Sequence, residues 1–217
     1  MINDHQLRQD VLDELDFEPR VDAANIGVGV HHGVVTLTGF VSSYADKLAA
    51  ERAARRVKGV KAIAQDIEIR LPSDKKTADN EIAKRAVDIL KGRVGFPADR
   101  IGVKVEKGVV TLTGEVAWRF QKTEAENAAH NLTGVVGVAN RIHVNSPVRV
   151  PEIKDRIQKA LRRSAELDAS RITVHAEGSK VILGGKVQAW NERDLVEQAA
   201  WSASGVTEVE DHIQIEP

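Results

Sequence analysis

Hydrophobic positions follow two different periods along this chain, and the two periods alternate. Leu7, Val11 and Leu15 are spaced as one face of a helix, and the same spacing returns near residues 82–90 and 153–161. Between residues 101 and 116, apolar residues alternate with others on both sides of a glycine-containing turn. Alternation of this kind predicts two β-strands joined as a hairpin.

A second helical stretch follows each predicted hairpin and carries a stripe of small side chains. Ala50, Ala53, Ala54 and Val57 share one helical face. Alanine on that face allows the helix backbone to lie close against a sheet. A further alternating stretch, such as VANRIHV in the middle of the chain, predicts a third strand. The predicted order of elements is therefore α-β-β-α-β.

The whole pattern occurs three times. GVVTLTG occupies Gly33–Gly39 and returns at Gly108–Gly114, and a displacement of a further 71 residues aligns a diverged third copy. Repeats of this length divide a chain into structural units. The predicted units cover residues 1–71, 76–145 and 149–217, joined by polar segments that contain proline. We expect an α+β protein of three tandem αββαβ units, each with a small three-stranded sheet.

The glycines of the repeated heptapeptide suit a hairpin better than a phosphate-binding loop. A P-loop requires G-x-x-x-x-G-K-[ST], whereas GVVTLTG has five residues between its glycines and is followed by Phe40 or Glu115. We expect its first glycine to form the turn, its last to mark a close approach of two backbones, and a later glycine to end the second helix. The predicted structural glycines are Gly33, Gly39, Gly59, Gly108, Gly114, Gly134, Gly185 and Gly205.

Composition removes several classes of function. The chain has 217 residues, a net charge of −1 and no cysteine, which excludes thiolate chemistry and gives no overall attraction to nucleic acid. The histidines are scattered, apart from His31 and His32 at the first hairpin turn. No motif for nucleophilic catalysis or for metal binding is present. We therefore expect no enzyme activity, no cofactor, no metal site and no nucleic-acid partner.

The N-terminal segment gives an expectation for the cellular compartment of the protein. MINDHQLRQD contains two aspartates and no apolar run of signal-peptide length, and no later segment approaches the ~20 apolar residues of a membrane span. We expect a cytoplasmic protein without a transmembrane segment. The alternative is the periplasm, if a leader has been removed.

The ordered motifs resemble those of BON domains, the family named after bacterial osmotically inducible and nodulation proteins. The first unit contains GVVTLTGFV, AAERAARRVKGV and AIAQDIEI, and the other two contain matching segments. The resemblance covers nearly the whole chain. It implies two helices on one face of each sheet, and a non-catalytic module associated with phospholipid surfaces and with osmotic or envelope stress. The best-known relatives are exported and have two such domains.

Aromatic residues cluster where the second strand leads into the second helix. Tyr44, Trp118, Phe120 and Trp190 all lie at this point, and Arg119 stands between two of them. Tyr and Trp suit a boundary between apolar and wet surroundings, so one interpretation is contact with a membrane or a partner. The other is that these side chains cover the contact between units or cap the core of their own unit.

The first helices of units one and three carry opposite charge. Between Met1 and Asn25 two arginines stand against seven acidic residues, whereas six basic residues stand against two acidic ones between Arg149 and Arg163. The basic candidates are Lys154, Lys159, Arg162 and Arg163. This segment suits an anionic phospholipid surface, head-to-tail association within or between chains, or a solvated helix face. The expected function is therefore phospholipid association or, alternatively, a protein scaffold or self-associating module without lipid binding.

A glutamate recurs at equivalent positions of the second helices, at Glu51, Glu126 and Glu197. Basic residues precede each of them by four positions, as Lys47 precedes Glu51. Pairs with this spacing are neighbours on a helix surface. We expect each glutamate to pair with the earlier residue.

Overall fold

The computed structural model describes residues 3–71, 77–92, 96–145, 153–164 and 168–216. It contains three units with the predicted order of elements. The first comprises α1 (Asp4–Phe17), β1 (Ile26–His31), β2 (Val34–Val41), α2 (Tyr44–Arg56) and β3 (Ala62–Ile69). The second comprises α3 (Asp79–Lys91), β4 (Ile101–Glu106), β5 (Val109–Val116), α4 (Arg119–His130) and β6 (Gly137–Val144). The third comprises α5 (Ile153–Arg163), β7 (Ile172–Glu177), β8 (Lys180–Val187), α6 (Trp190–Trp201) and β9 (Glu208–Ile215).

Each unit forms one three-stranded sheet with the second strand of the hairpin at its centre. In the first unit β1 pairs antiparallel with β2, and β2 pairs parallel with β3. Parallel neighbours cannot be joined by a tight turn and need a long crossover, which α2 provides. The other two sheets repeat this strand order. The predicted α+β architecture of three αββαβ units is confirmed.

Both helices of a unit contribute to the core against one face of its sheet. Leu15 of α1, Leu37 of β2 and Ala53 and Ala54 of α2 are fully buried in a single cluster. Large side chains come from the first helix and the strands, and the second helix contributes mostly alanine. The alanine stripe therefore allows the backbone of the second helix to lie close to the sheet.

The last glycine of the repeated heptapeptide marks a close approach of two backbones, as the sequence predicts. Gly39 and Gly114 have φ values of 109° and 121°, a region that L side chains rarely adopt. A Cβ atom at Gly39 would collide with the carbonyl oxygen of Asn25, and one at Gly114 with that of Arg100. No other residue fits these positions without moving the chain that enters the first strand.

The prediction that a glycine ends the second helix is wrong by three or four residues. The helix α2 ends at Arg56 and α4 at His130, whereas Gly59 and Gly134 lie further on, with φ values of 100° and 92°. These glycines form the turn that leads into the third strand. The repeated glycine marks this turn, because the left-handed backbone is required there.

The first helix is tied to the hairpin turn by one carboxylate. In the first unit Asp4 accepts hydrogen bonds from the backbone N–H groups of His32 (2.7 Å) and Gly33 (3.1 Å). Asp79 accepts the corresponding bonds in the second unit, at 2.7 and 2.9 Å. The turn is therefore held by the start of the first helix in both units.

Candidate functional site

The first residue of each second helix contacts a residue near the end of the second helix of another unit. The three contacts use equivalent positions in the repeat, which we call the seam positions. The leading seam position is Tyr44, Arg119 or Trp190, and the receiving seam position is Arg55, His130 or Trp201.

Two of these contacts connect consecutive units. The ring of Tyr44 lies edge-on to that of His130, with 5.4 Å between centroids and 68° between planes. The guanidinium carbon of Arg119 lies 4.5 Å from the centre of the Trp201 ring. Arginine over an indole face is a cation–π contact, stabilising by about 0.5–2 kcal/mol depending on how far it is desolvated.

The third contact returns from the last unit to the first. The guanidinium carbon of Arg55 lies 4.9 Å from the centre of the Trp190 ring. Unit one therefore contacts unit two, unit two contacts unit three, and unit three contacts unit one through equivalent positions. The three second helices form a closed cycle of head-to-tail contacts.

Each receiving seam residue is held by the glutamate one helical turn before it. Glu51 pairs with Arg55 at 2.6 Å. Glu126 lies 3.6 Å from His130, and Glu197 accepts a hydrogen bond from the indole nitrogen of Trp201 at 3.1 Å. The recurrence of this glutamate is explained by a shared role at the seams.

The predicted pairing of Glu51 with Lys47 is wrong. The Lys47 ammonium instead donates a hydrogen bond to the carbonyl oxygen of Ile67 at 2.8 Å, which fastens α2 to β3. Both neighbours of Glu51 are basic and one turn away, so helical spacing could not decide between them. The tertiary structure decides, because Arg55 is placed against Trp190 next to Glu51.

The seams differ in how deeply the leading residue packs into the neighbouring unit. Tyr44 packs against the core of unit two, and Trp190 packs against the core of unit one. Burial raises the pKa of the Tyr44 hydroxyl, and a hydrogen bond with the Val138 backbone acts in the opposite direction. Arg119 keeps its charged group on the Trp201 ring. An open groove of about 990 Å³ remains beside this contact.

The groove between α4 and α6 has an aromatic rim. Trp118 and Phe120 line it, with 37% and 63% of their surfaces exposed. The corresponding residues are Ser43 and Ala45 in the first unit, and Ala189 and Asn191 in the third. Two seams therefore form without large side chains at these places. Trp118 and Phe120 are extra apolar surface that neither the fold nor the seam requires.

Helix capping does not explain Trp118 either. In the first unit Ser43 occupies this position, and its hydroxyl accepts a hydrogen bond from the N–H of Asp46 at 3.1 Å, as a helix N-cap does. In the second unit the carboxamide oxygen of Gln121 accepts bonds from the N–H groups of Ala117 and Trp118, both at 3.1 Å. Gln121 therefore closes the start of α4, and the indole makes no contribution to that cap.

The basic candidates lie together on α5, away from the apolar face of that helix. Lys154, Lys159, Arg162 and Arg163 are exposed, whereas Ile157 is fully buried. Within the described part of the chain, none of the four basic side chains forms an ion pair. Their positive charge is therefore not neutralised by the described residues.

The acidic first helix of unit one is partly neutralised within its own unit. Arg56 at the end of α2 pairs with Glu14 at 2.7 Å and with Glu18 at 3.1 Å. These hydrogen bonds raise the pKa of the guanidinium further. No ion pair joins α1 to α5 among residues 3–71 and 153–164. The opposite charges of α1 and α5 do not hold the units of one chain together.

No group of three His, Cys, Asp or Glu side chains in the described part of the chain is arranged to hold a metal ion. No helix among the described residues is both long and apolar enough to cross a bilayer.

Comparison with known proteins identifies the repeated unit. The profile of the BON domain matches residues 3–70, 78–146 and 150–217. This chain belongs to the BON domain family. The predicted family is confirmed, and each BON match contains one set of the five elements described above.

A curated relative of this BON protein is Osmotically-inducible protein Y of Escherichia coli (strain K12). The two are 30% identical over 129 residues, which cover 55% of this chain and 62% of that protein. The matched region therefore spans less than two thirds of the relative.

Solved structures give weaker likenesses. CdsD, a structural protein of the type III secretion system of Chlamydia trachomatis, is 14% identical, with a TM-score of 0.27 over 96% of this chain and 91% of that chain. The PrgH periplasmic domain is 12% identical, with a TM-score of 0.22 over 95% of this chain and all of that one.

The structure separates the predicted site residues into three groups. Tyr44, Arg119 and Trp190 are leading seam residues, and Trp118 and Phe120 are the exposed rim of the groove. The remaining candidates form the basic surface of α5 and are Lys154, Lys159, Arg162 and Arg163.

Two seam residues, Arg55 and His130, were not predicted from the sequence. A signal was available, since both stand four residues after the repeated glutamate and occupy the place of Trp201 in the third unit. The side chains at this position are chemically different, and that difference hid their common role.

Proposed function

We propose that this BON-domain protein is a non-catalytic protein of the osmotic or envelope stress response that associates with anionic phospholipid surfaces. The observation that carries the proposal is the exposed basic surface of α5, formed by Lys154, Lys159, Arg162 and Arg163, whose charge no described residue neutralises. The stress context is supported by the relative whose name states that it is osmotically inducible.

The positive charge of the α5 surface favours binding to an anionic membrane. Each basic residue held near an anionic membrane contributes about 1 kcal/mol, and this attraction decreases as salt shortens the Debye length. The α5 surface therefore binds weakly and reversibly at moderate salt. The exposed Trp118 and Phe120 offer apolar contact of the kind that aromatic side chains make at a membrane boundary.

The test is sedimentation of the full chain with two kinds of vesicle. One contains equal parts of phosphatidylglycerol and phosphatidylcholine, and the other contains phosphatidylcholine alone. We expect binding to the anionic vesicles at about 50 mM salt and its loss at about 500 mM. Reversal of two charges, Arg162→Glu with Arg163→Glu, reduces that binding by about tenfold or more.

A matched control is available on the corresponding helix of unit two. Lys84 and Lys91 on α3 are also exposed, and the double change Lys84→Glu with Lys91→Glu alters the net charge by the same amount. This control retains most of the binding if α5 is the surface involved. An equal loss in both double variants means that net charge alone is responsible, and equal binding to both vesicles removes the anionic-lipid proposal.

The second candidate is self-association through the oppositely charged first helices. The observation that favours it is the absence of ion pairs between α1 and α5 within the described chain. The basic residues of α5, and the α1 carboxylates that Arg56 does not pair with, are therefore available to a second copy. Analytical ultracentrifugation at low and high salt distinguishes the two candidates. A monomer at every salt and protein concentration eliminates self-association and leaves the lipid proposal intact.

A further inference from the structure

We propose that the seam between units one and two is an acid-sensitive joint, in which protonation of His130 favours opening while the other two seams stay closed. This inference concerns the relation between the units and does not depend on the proposed lipid binding. The joint consists of the His130 side chain and the parts of α2 that pack against it.

The geometry encloses His130. Its side chain is only 11% exposed, and the Tyr44 ring covers it edge-on at 5.4 Å. The charged groups that face it are Glu126 on its own helix, 3.6 Å away, and Arg52 on α2. Glu51 on α2 faces Tyr44. A proton added to the imidazole would place a charge in a largely desolvated contact between two units.

Neither of the other two seam contacts involves a histidine. The third seam contains Asp194 of α6 near Arg55, and burial raises the pKa of this carboxyl, so a proton on Asp194 favours the closed form. Arg119 stacks on Trp201 and Arg55 stacks on Trp190, and an arginine keeps its charge at every pH the protein meets. Histidine is the side chain whose charge ordinarily changes between pH 5 and 8. Of the three described seams, the one that contains His130 is therefore the one that mild acid weakens.

The direction of the response follows from the surroundings. Burial lowers the pKa of His130, the attraction of Glu126 acts against this, and the repulsion of Arg52 adds to it. In an open joint the imidazole is hydrated, and its pKa returns to the ordinary value of about 6.5. The proton therefore prefers the open form, so the closed seam has its full stability above about pH 6.5 and loses stability as the pH falls below it.

The coupling between protonation of His130 and opening of the seam sets how strongly pH changes the ratio of open to closed molecules. At about pH 5.5, one unit below the ordinary value, the ratio of open to closed molecules rises by up to about tenfold relative to neutral pH. A smaller rise means that His130 is also protonated in a fraction of the closed molecules at this pH. The other two seams keep the third unit in contact with both partners, so opening changes the distance between units one and two without unfolding either.

Single-molecule energy transfer measures the open and closed populations directly. Because the chain has no cysteine, two labels can be attached at Asp16→Cys on α1 and Asp88→Cys on α3, which are both exposed sites. We expect the low-transfer population to increase up to about tenfold between about pH 7.5 and pH 5.5. An unchanged ratio over this range overturns the proposal.

The variant His130→Phe keeps an aromatic ring at the seam and removes its titration. It leaves the six other histidines and all carboxylates in place, so it separates this joint from general acid effects. The low-transfer population of this variant should not respond to pH, and a response equal to that of the unchanged chain contradicts the role of His130. Circular dichroism confirms that the variant is folded.

A direct titration covers the case in which the variant does not fold. The imidazole of His130 in the unchanged chain can be followed by nuclear magnetic resonance across the same pH range. A titration midpoint of His130 below pH 6.5 supports the proposal, because it shows that the closed seam disfavours protonation of the imidazole. A midpoint at or above 6.5 overturns it, because acid would then stabilise the closed seam.

Discussion

At the residue scale, internal repetition distinguishes glycines that the backbone requires from glycines that it tolerates. Gly185 has a φ value of 111° and corresponds to Gly39 and Gly114, and a Cβ atom there would collide with the carbonyl oxygen of Arg171. Gly178 also has a positive φ, of 62°, but nothing lies within 4 Å of its Cβ position. Its counterparts in the other units are His32 and Lys107, both at 51°.

This contrast predicts different costs of substitution at two glycines. Gly114→Ala should lower the free energy of unfolding of unit two by about 2–4 kcal/mol, because the new Cβ meets Arg100 and the backbone is strained. Gly178→Lys should change the free energy of unfolding of unit three by less than about 1 kcal/mol, since Lys107 already occupies that place. Urea denaturation followed by circular dichroism measures both. Equal losses in the two variants would contradict this account.

At the element scale, the hairpin turn is stabilised by a helix that is distant in sequence. Asp4 belongs to the first turn of α1 and accepts bonds from two N–H groups of the hairpin, 28 and 29 residues later. The hydrogen bond from His32 is the largest influence that holds the pKa of Asp4 below its ordinary value, with further contributions from Gly33 and the nearby histidines. The carboxylate is therefore preferred in the folded state.

Removal of this charge should weaken the first unit in a pH-dependent way. Because the folded pKa is depressed, the stabilisation is present above about pH 4 and is lost as the pH falls through the folded value. Asp4→Asn should therefore lower the melting temperature at neutral pH and make little difference near pH 2. Thermal unfolding of both proteins at the two pH values tests this. A constant difference at every pH would show that the carboxylate charge is not involved.

At the scale of the whole molecule, three similar units form a cycle because each second helix leads with a different side chain into the same kind of contact. Tyr44 and Trp190 enter neighbouring cores, and Arg119 rests on Trp201. The cycle uses every leading and every receiving position within one chain. It leaves the α4–α6 groove open, with Trp118 and Phe120 at its rim.

Two tryptophans of similar sequence context should therefore behave differently. Trp190→Ala removes packing against the core of unit one and the contact with Arg55, and should destabilise the seam by about 2 kcal/mol or more. Trp118→Ala removes a partly exposed side chain and should change stability by about 0.5 kcal/mol or less.

Small-angle scattering with urea denaturation distinguishes these outcomes. The Trp190→Ala protein should show a larger radius of gyration and an earlier unfolding transition, and the Trp118→Ala protein should match the unchanged chain in both. A Trp190→Ala protein with unchanged dimensions and midpoint would show that the third seam does not hold the units together.

The repeat, the order of elements, the α+β class and the BON family could all be predicted from the order of residues along the chain. These follow from contacts inside one unit, where the burial of one helix face or one strand face imposes a period on neighbouring residues. The hairpin glycines were predictable for the same reason, since a left-handed turn admits few residues. Helix ends were less accurate, because Gly59 serves the following turn and not the end of α2.

The roles of the aromatic and charged candidates became clear only from the three-dimensional arrangement of the units. Trp118 and Arg119 are adjacent in sequence, yet one lies on the rim of a groove and the other within a seam. Glu51 pairs with Arg55, although Lys47 is equally near along the helix. Contacts between units impose no helical or strand period on neighbouring residues, because each contact depends on how the units are placed against one another. That placement distinguishes side chains that hold this protein together from those left free to bind.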